Sequence, residues 1–294
     1  MGDLDLGGLD ELPADADAVS EKTPGRAGRD LPAAVAVGVA LALVVVVPLY
    51  SPARWLFVGV VGAAGAVGTV EVVRALRTLG ARPPLVPLLF GGAAMVVLAY
   101  REGAEALLLT LLLTVLACLV WRLVDPGRGY LRDAATAALT ATYVPFLAGF
   151  AALLAVPPDG PRRVTVFIAT VVCSDVGGYL AGVLWGKHPM APSVSPKKSW
   201  EGLGGSVVGC SVGGAVLFAT LLDASPLLGA VYGLAVVATA TLGDLGESML
   251  KRDIGIKDMG NLLPGHGGLM DRLDSLLPSA PVAWLLLSAF AAVP

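Results

Sequence analysis

Residues 104–121 read AEALLLTLLLTVLACLVW, a run that carries one charged side chain, Glu105, near its start. A helix needs about 20 apolar residues to cross the hydrocarbon core of a bilayer, so this run reads as a spanning helix. The pattern repeats on both sides of it. Apolar stretches of similar length occupy 33–50, 54–73, 83–100, 133–156, 163–185, 203–222, 226–243 and 277–293. The breaks between them hold Pro, Gly and charge, and small residues such as those from Gly59 to Gly68 suit close helix–helix approach. The predicted fold is all-α, a polytopic membrane protein with about nine transmembrane helices.

Composition agrees with this. Of the 294 residues, 56% are apolar and 15% charged, against about 25% charged in a soluble domain. A soluble fold could not cover its surface with this set. The balance argues against a soluble globular enzyme, a disordered chain and a nucleic-acid binder. Cys118, Cys173 and Cys210 all lie in apolar runs and read as packing residues, with no spacing that suggests zinc or a disulfide framework. Residues 1–31 differ, with eight acids against three bases and scattered Gly and Pro. They read as a disordered acidic tail without the basic start of a signal peptide. Residues 32–162 then form the N-terminal transmembrane helices and 163–294 a C-terminal transmembrane catalytic region.

The distribution of Lys and Arg sets the expected orientation. With the tail inside, sixteen of the 20 basic residues fall on the tail and on the connections after helices 2, 4, 6 and 8, and four fall outside: Arg54, Arg101, Arg162 and Arg163. The positive-inside rule favours this topology. It places the protein in the cell's inner membrane with its N-terminus cytoplasmic. The same parity puts the two richest polar segments on one, cytoplasmic, face.

The first such segment runs from Gly186 to Gly202 and contains Ser195, Lys197, Lys198, Ser199, Trp200 and Glu201. Adjacent lysines among serines suit a phosphate partner; a basic loop that only sets topology is the plainer reading. The second begins Gly243-Asp244-Leu245-Gly246-Glu247-Ser248 and continues through Lys251-Arg252, Lys257-Asp258 and Pro264-Gly265-His266-Gly267-Gly268 to Asp271-Arg272-Leu273-Asp274. On a continuing helix Asp244, Ser248 and Lys251 share one face. Asp271 and Asp274 present together if helix resumes after Gly268. Oxygen ligands suit Mg²⁺, which takes one or two carboxylates plus phosphate oxygens and water, so Asp244 and Asp271 are the candidate metal ligands. Lys251, Arg252, Lys257 and Arg272 suit polyphosphate, and the Gly-rich turn lets backbone N–H groups approach an anion. His266 reads either as a donor to phosphate or as an ordinary loop residue. Asp175 lies within the sixth apolar run beside Gly177, Gly178 and Tyr179, and an acid within a span is by default functional or paired. Glu71 and Glu105 read as interfacial.

At these residues the sequence resembles the phosphatidate cytidylyltransferase (CDP-diacylglycerol synthase) family. The family's C-terminal signature is matched in spacing by Ser248, Lys251, Arg252, Lys257, Asp258, Pro264, His266, Gly267, Gly268, Asp271, Arg272 and Asp274. The Ser195 to Gly202 segment and the Asp175/Tyr179 pair are also similar to it. The resemblance implies that CTP and phosphatidic acid give CDP-diacylglycerol and pyrophosphate. It further implies dependence on a divalent cation, a second, monovalent cation in some members, and a homodimer. The same nucleotide site would serve transfer of CMP to another lipid phosphate, such as an isoprenoid glycerol ether, or a CTP-dependent lipid kinase. The reading from a different class is a transporter, against which stands the gathering of polar residues at one face rather than at midplane in two symmetric halves.

Overall fold

The computed structural model describes residues 31–124, 128–262 and 267–291, with side chains from residue 38 onward. The acidic tail lies outside these residues apart from its last position. Nine helical rods make up nearly all of the described chain: α1 (Leu31–Tyr50), α2 (Trp55–Thr78), α3 (Leu85–Glu102), α4 (Ala104–Val124), α5 (Tyr130–Leu154), α6 (Gly160–Trp185), α7 (Trp200–Leu221), α8 (Pro226–Ile254) and α9 (Met270–Phe290). The last eight are long and apolar enough to cross a membrane. In α5, the residues Thr142–Phe146 form a π-helical turn around Pro145, which has no N–H to donate to the helix ladder. The one departure from an all-helical chain is a two-stranded antiparallel hairpin, β1 (Pro189–Ala191) with β2 (Ser195–Ser199).

Connections gather at two ends. At one end Arg54 donates to the carbonyls of Pro157 and Pro158, each at 2.9 Å, and Arg163 donates to those of Leu287 (3.2 Å) and Ala291 (2.6 Å). At the other, the Arg82 N–H donates to Asp133 at 2.7 Å, and Asp133 also pairs with Arg122 at 2.7 Å in a buried contact. The hairpin, the C-terminal end of α8 and the N-terminal end of α9 lie at this second end, so the two polar segments share it.

Helices α6, α7 and α8 form the tightest stack. Glycine makes that approach possible. A Cβ on Gly209 of α7 would stand 2.6 Å from the Cys173 carbonyl oxygen of α6. Ser206 Oγ and Cys210 Sγ donate across the same seam to the carbonyls of Ser174 (2.7 Å) and Thr170 (3.3 Å). On the far side of α7, Phe218 packs its ring against Tyr232 of α8 in the buried core. Gly209→Leu should therefore force α6 and α7 apart and lower stability by about 2 kcal/mol. Gly204→Leu, whose Cβ would meet nothing within 4 Å, should not. Thermal denaturation of both variants in detergent checks the contrast.

Candidate active site

The hairpin is set by contacts at its base and tip. Ser199 caps α7, its Oγ accepting the Gly202 N–H at 3.1 Å. Glu201 accepts the backbone N–H groups of Lys187 and His188, both at 3.2 Å, and its other oxygen meets His188 Nδ1 at 2.5 Å. Arg252 Nε donates to the Val194 carbonyl at 3.3 Å, fastening the hairpin to α8. Ser195 opens β2 opposite Ala191. The described contacts of Glu201 and Arg252 are thus with the hairpin frame, and His188 joins that frame without any sequence signal beyond its rarity.

Between the hairpin and α6, α7 and α8 lies a cavity of about 330 Å³, at the small end of the range for small-molecule sites. Lys197, Lys198 and Ser199 line one side, Asp175 and Tyr179 another, and Asp244 the floor. Lys198 forms an ion pair with Asp244. Asp175 lies within electrostatic reach of Asp244, Asp274, Lys198 and Arg272. Ser174, Ser206, Thr241 and Ser275 add hydroxyls to the lining. None of these four stands out in the sequence, where small hydroxyl residues are common in spanning helices. For Thr241, one turn before Asp244 on α8, helical register is the signal that could have found it.

Helix α8 continues past the expected end at 243 to Ile254, where Gly255 (φ 79°) takes the left-handed position that closes it. Asp244, Ser248 and Lys251 therefore lie along one face. Ser248 Oγ is 3.5 Å from Asp244 Oδ1. Lys251 Nζ donates to Glu247 (3.0 Å) and to Asp271 Oδ1 (2.8 Å). Asp271 Oδ2 accepts the N–H groups of Met259 (2.9 Å) and Gly268 (2.8 Å). Gly267 (φ 79°) fits where a Cβ would stand 3.0 Å from that oxygen. Glu247 is fully buried, and its Oε1 has no donor among the described residues, while Asp274 lies within electrostatic reach of it. Two acids this close disfavour each other's charged form, and Lys251 offsets that at Glu247. Lys257 and Asp258 lie apart from the nucleotide-sized cavity, on a second one beside α2. His266 and Pro264 fall outside the described residues.

Glu71 is not interfacial. It is buried in α2, and its two oxygens accept the N–H groups of Leu269 (3.0 Å) and Met270 (2.7 Å). These are orphan donors at the start of α9, and an anion there also complements the helix dipole. Gly260 and Gly268 close against the same carboxylate, so a Cβ on either would collide with it. An acid of the N-terminal half thereby fixes the loop that carries Asp271. Glu71→Ala would leave two buried N–H groups unpaired, at about 1–3 kcal/mol each. Glu71→Gln, which keeps one acceptor, should lose less stability, and thermal denaturation of the two variants checks the order.

The arrangement joins ammonium groups (Lys197, Lys198, Lys251) that suit phosphate oxygens to carboxylates that suit a hard cation. Among the described residues no three acidic or imidazole groups form a ready-made metal cage.

A model of the cytidylyltransferase family matches residues 32–290. The phosphatidate cytidylyltransferase of Mycobacterium leprae is 48% identical over 289 residues, covering 92% of this chain and 91% of its own length. Those of Mycobacterium bovis and Mycobacterium tuberculosis are each 45% identical over 279 residues. Those alignments cover 90% of this chain and 90% and 84% of the respective relatives.

Proposed function

The chain belongs to the cytidylyltransferase family, and we propose that it transfers CMP from CTP to phosphatidic acid, forming CDP-diacylglycerol and pyrophosphate in phospholipid biosynthesis. The observation that carries this reading is the pairing of lysines with carboxylates at one end of the helices, Lys198 of the hairpin with Asp244 of α8 and Lys251 of α8 with Asp271 of α9. Sixteen of the 20 basic residues fall on the tail and on that end's connections, which favours a cytoplasmic site in the inner membrane.

Lys197 and Lys198 bind the triphosphate, Lys198 exchanging its contact with Asp244 for one with a phosphate oxygen. Lys251 does likewise and leaves Asp271 Oδ1 free. One oxygen of the phosphatidate phosphate, already anionic near pH 7, attacks the α-phosphorus of CTP. The bond from that phosphorus to the β-phosphate bridge oxygen breaks, and pyrophosphate leaves with the electron pair. No strong general base is needed, so the residues act mainly by positioning and by charge neutralisation.

The oxygen donors fit a divalent cation such as Mg²⁺. Asp244 is partly exposed to the cavity, and Glu247 Oε1, buried one turn along α8, has no donor among the described residues. Asp244 and Asp271 would hold the ion, the Met259 and Gly268 N–H donors staying on Asp271 Oδ2 while Oδ1 is released by Lys251. Bound there, it would supply further charge neutralisation to the phosphate oxygens.

Purified protein given α-labelled CTP and phosphatidic acid, with and without Mg²⁺, tests the reading. Labelled CDP-lipid and pyrophosphate should appear in equal amounts, and only with the metal. Release of CDP with a further-phosphorylated lipid would replace the reading by a kinase.

A further inference from the structure

The α2–α3 seam carries two cavities outside the nucleotide site. One, of about 840 Å³, lies at the end of the molecule that holds the active site, and its wall includes Val70, Arg74, Leu89, Lys257 and Leu262. The other, of about 650 Å³, lies toward the opposite end, between Gly59 and Gly62 of α2 and Ala93 and Val97 of α3. Gly62, Ala66, Val70 and Arg74 follow at four-residue steps, so the two cavities share one face of α2. The span from Gly59 to Arg74 is roughly 22 Å at 1.5 Å per residue.

Chemistry changes along this seam in one direction. At the active-site end Arg74 and Lys257 are exposed, and neither has an ion pair or hydrogen bond among the described residues. Beyond them the lining is apolar as far as Tyr100 and Arg101 at the opposite end, and at Gly59 and Gly62 it is open, since a Cβ there would meet nothing within 4 Å. The wall around Arg74 and Lys257 also carries the carboxylates of Asp258 and of Glu71, the latter already tied to the Leu269 and Met270 N–H groups, and this end borders the loop that carries Asp271. Met259, in its wall, donates its N–H to Asp271, and Glu71 lines the same cavity. Asp271, the partner of Lys251, is thus bonded to this cavity's wall.

We propose that the α2–α3 seam is the binding site of the phosphatidate substrate, with its phosphomonoester on Arg74 and Lys257 and one acyl chain laid along Val70, Gly62 and Ala93. A phosphomonoester carries close to two negative charges at neutral pH, which two unpaired cations complement, and a diacyl chain requires an apolar trough open to lipid. The assignment rests on the phosphatidate reading of the function, and it gives the N-terminal half of the chain a role in selecting the lipid.

Gly62→Leu fills the trough without a clash in the folded protein. In detergent micelles it should raise KM for dioleoyl phosphatidate relative to dihexanoyl phosphatidate by about tenfold and leave KM for CTP as it was. Arg74→Gln should raise KM for both phosphatidates about tenfold, again without moving KM for CTP. Binding is read apart from turnover with a photoreactive phosphatidate carrying a diazirine in its acyl chain. It should label peptides around Gly62 and Ala93, less so in Gly62→Leu, and excess phosphatidate should compete where excess phosphatidylglycerol does not. Equal competition by phosphatidylglycerol, labelling confined to other helices, or unaltered KM values in both variants would overturn the assignment. Labelling of the seam in a protein that makes no CDP-lipid would leave the binding site standing and remove the proposed reaction instead.

Discussion

Asp244→Asn is expected to reduce CMP transfer by roughly 10³-fold, about 4 kcal/mol of transition-state stabilisation, in a protein that still folds. The side chain is about one-third exposed, and its partner Lys198 is similarly accessible. An ion pair of that kind contributes at most about 1 kcal/mol to stability, so the fold should hardly notice the change. The reaction should notice it strongly, because of the two acids lining the cavity, Asp175 and Asp244, it is Asp244 that pairs with a hairpin lysine and stands beside Ser248. Turnover of CTP and phosphatidic acid, measured beside a thermal melt, checks both halves. A variant with an intact melt and near wild-type turnover would remove Asp244 from the site.

Asp271→Asn should fail in a different way. Asp271 is nearly buried and holds three donors: Lys251, the Met259 N–H and the Gly268 N–H. Asparagine offers one acceptor oxygen and turns an amide N–H₂ toward a donor. Breaking a buried charge pair costs about 3–5 kcal/mol when the survivor is left alone. Here Lys251 keeps Glu247, so a loss near 3 kcal/mol is expected. Activity should fall at least ~10²-fold even at temperatures where the variant is folded. The separating measurement is the rise in melting temperature on adding CTP with Mg²⁺, which wild type should show and the variant should lack. A full ligand-induced rise in Asp271→Asn would make this residue a purely structural tie.

Much of this architecture is legible in the sequence because lipid leaves a one-dimensional trace. Each spanning helix announces itself by length and apolarity alone, and each of the nine expected stretches is helical over most of its described residues. What escapes is what does not repeat along the chain. The apolar run ends at Gly243, yet α8 continues to Ile254, because Asp244, Glu247 and Lys251 turn toward protein rather than lipid. The hairpin is built from strands of three and five residues, too short to show alternation. Glu71 meets residues nearly two hundred positions away, and no local pattern encodes that contact. For the site, spacing brings out Asp244, Ser248 and Lys251 as one face. It does not reveal that Asp271 is already tied by backbone donors, or that Lys257 belongs to a different cavity from Lys197 and Lys198.

The central claim is that carboxylates at one end of the helices hold a hard cation against the phosphates of a nucleotide. Electron paramagnetic resonance of Mn²⁺, in place of Mg²⁺, reads that directly. Wild-type protein with CTP should take up Mn²⁺ with loss of the free-ion signal, and Asp244→Asn under the same conditions should not. Equal uptake by the two proteins, or CDP-lipid formation that persists in a chelator, would contradict the account.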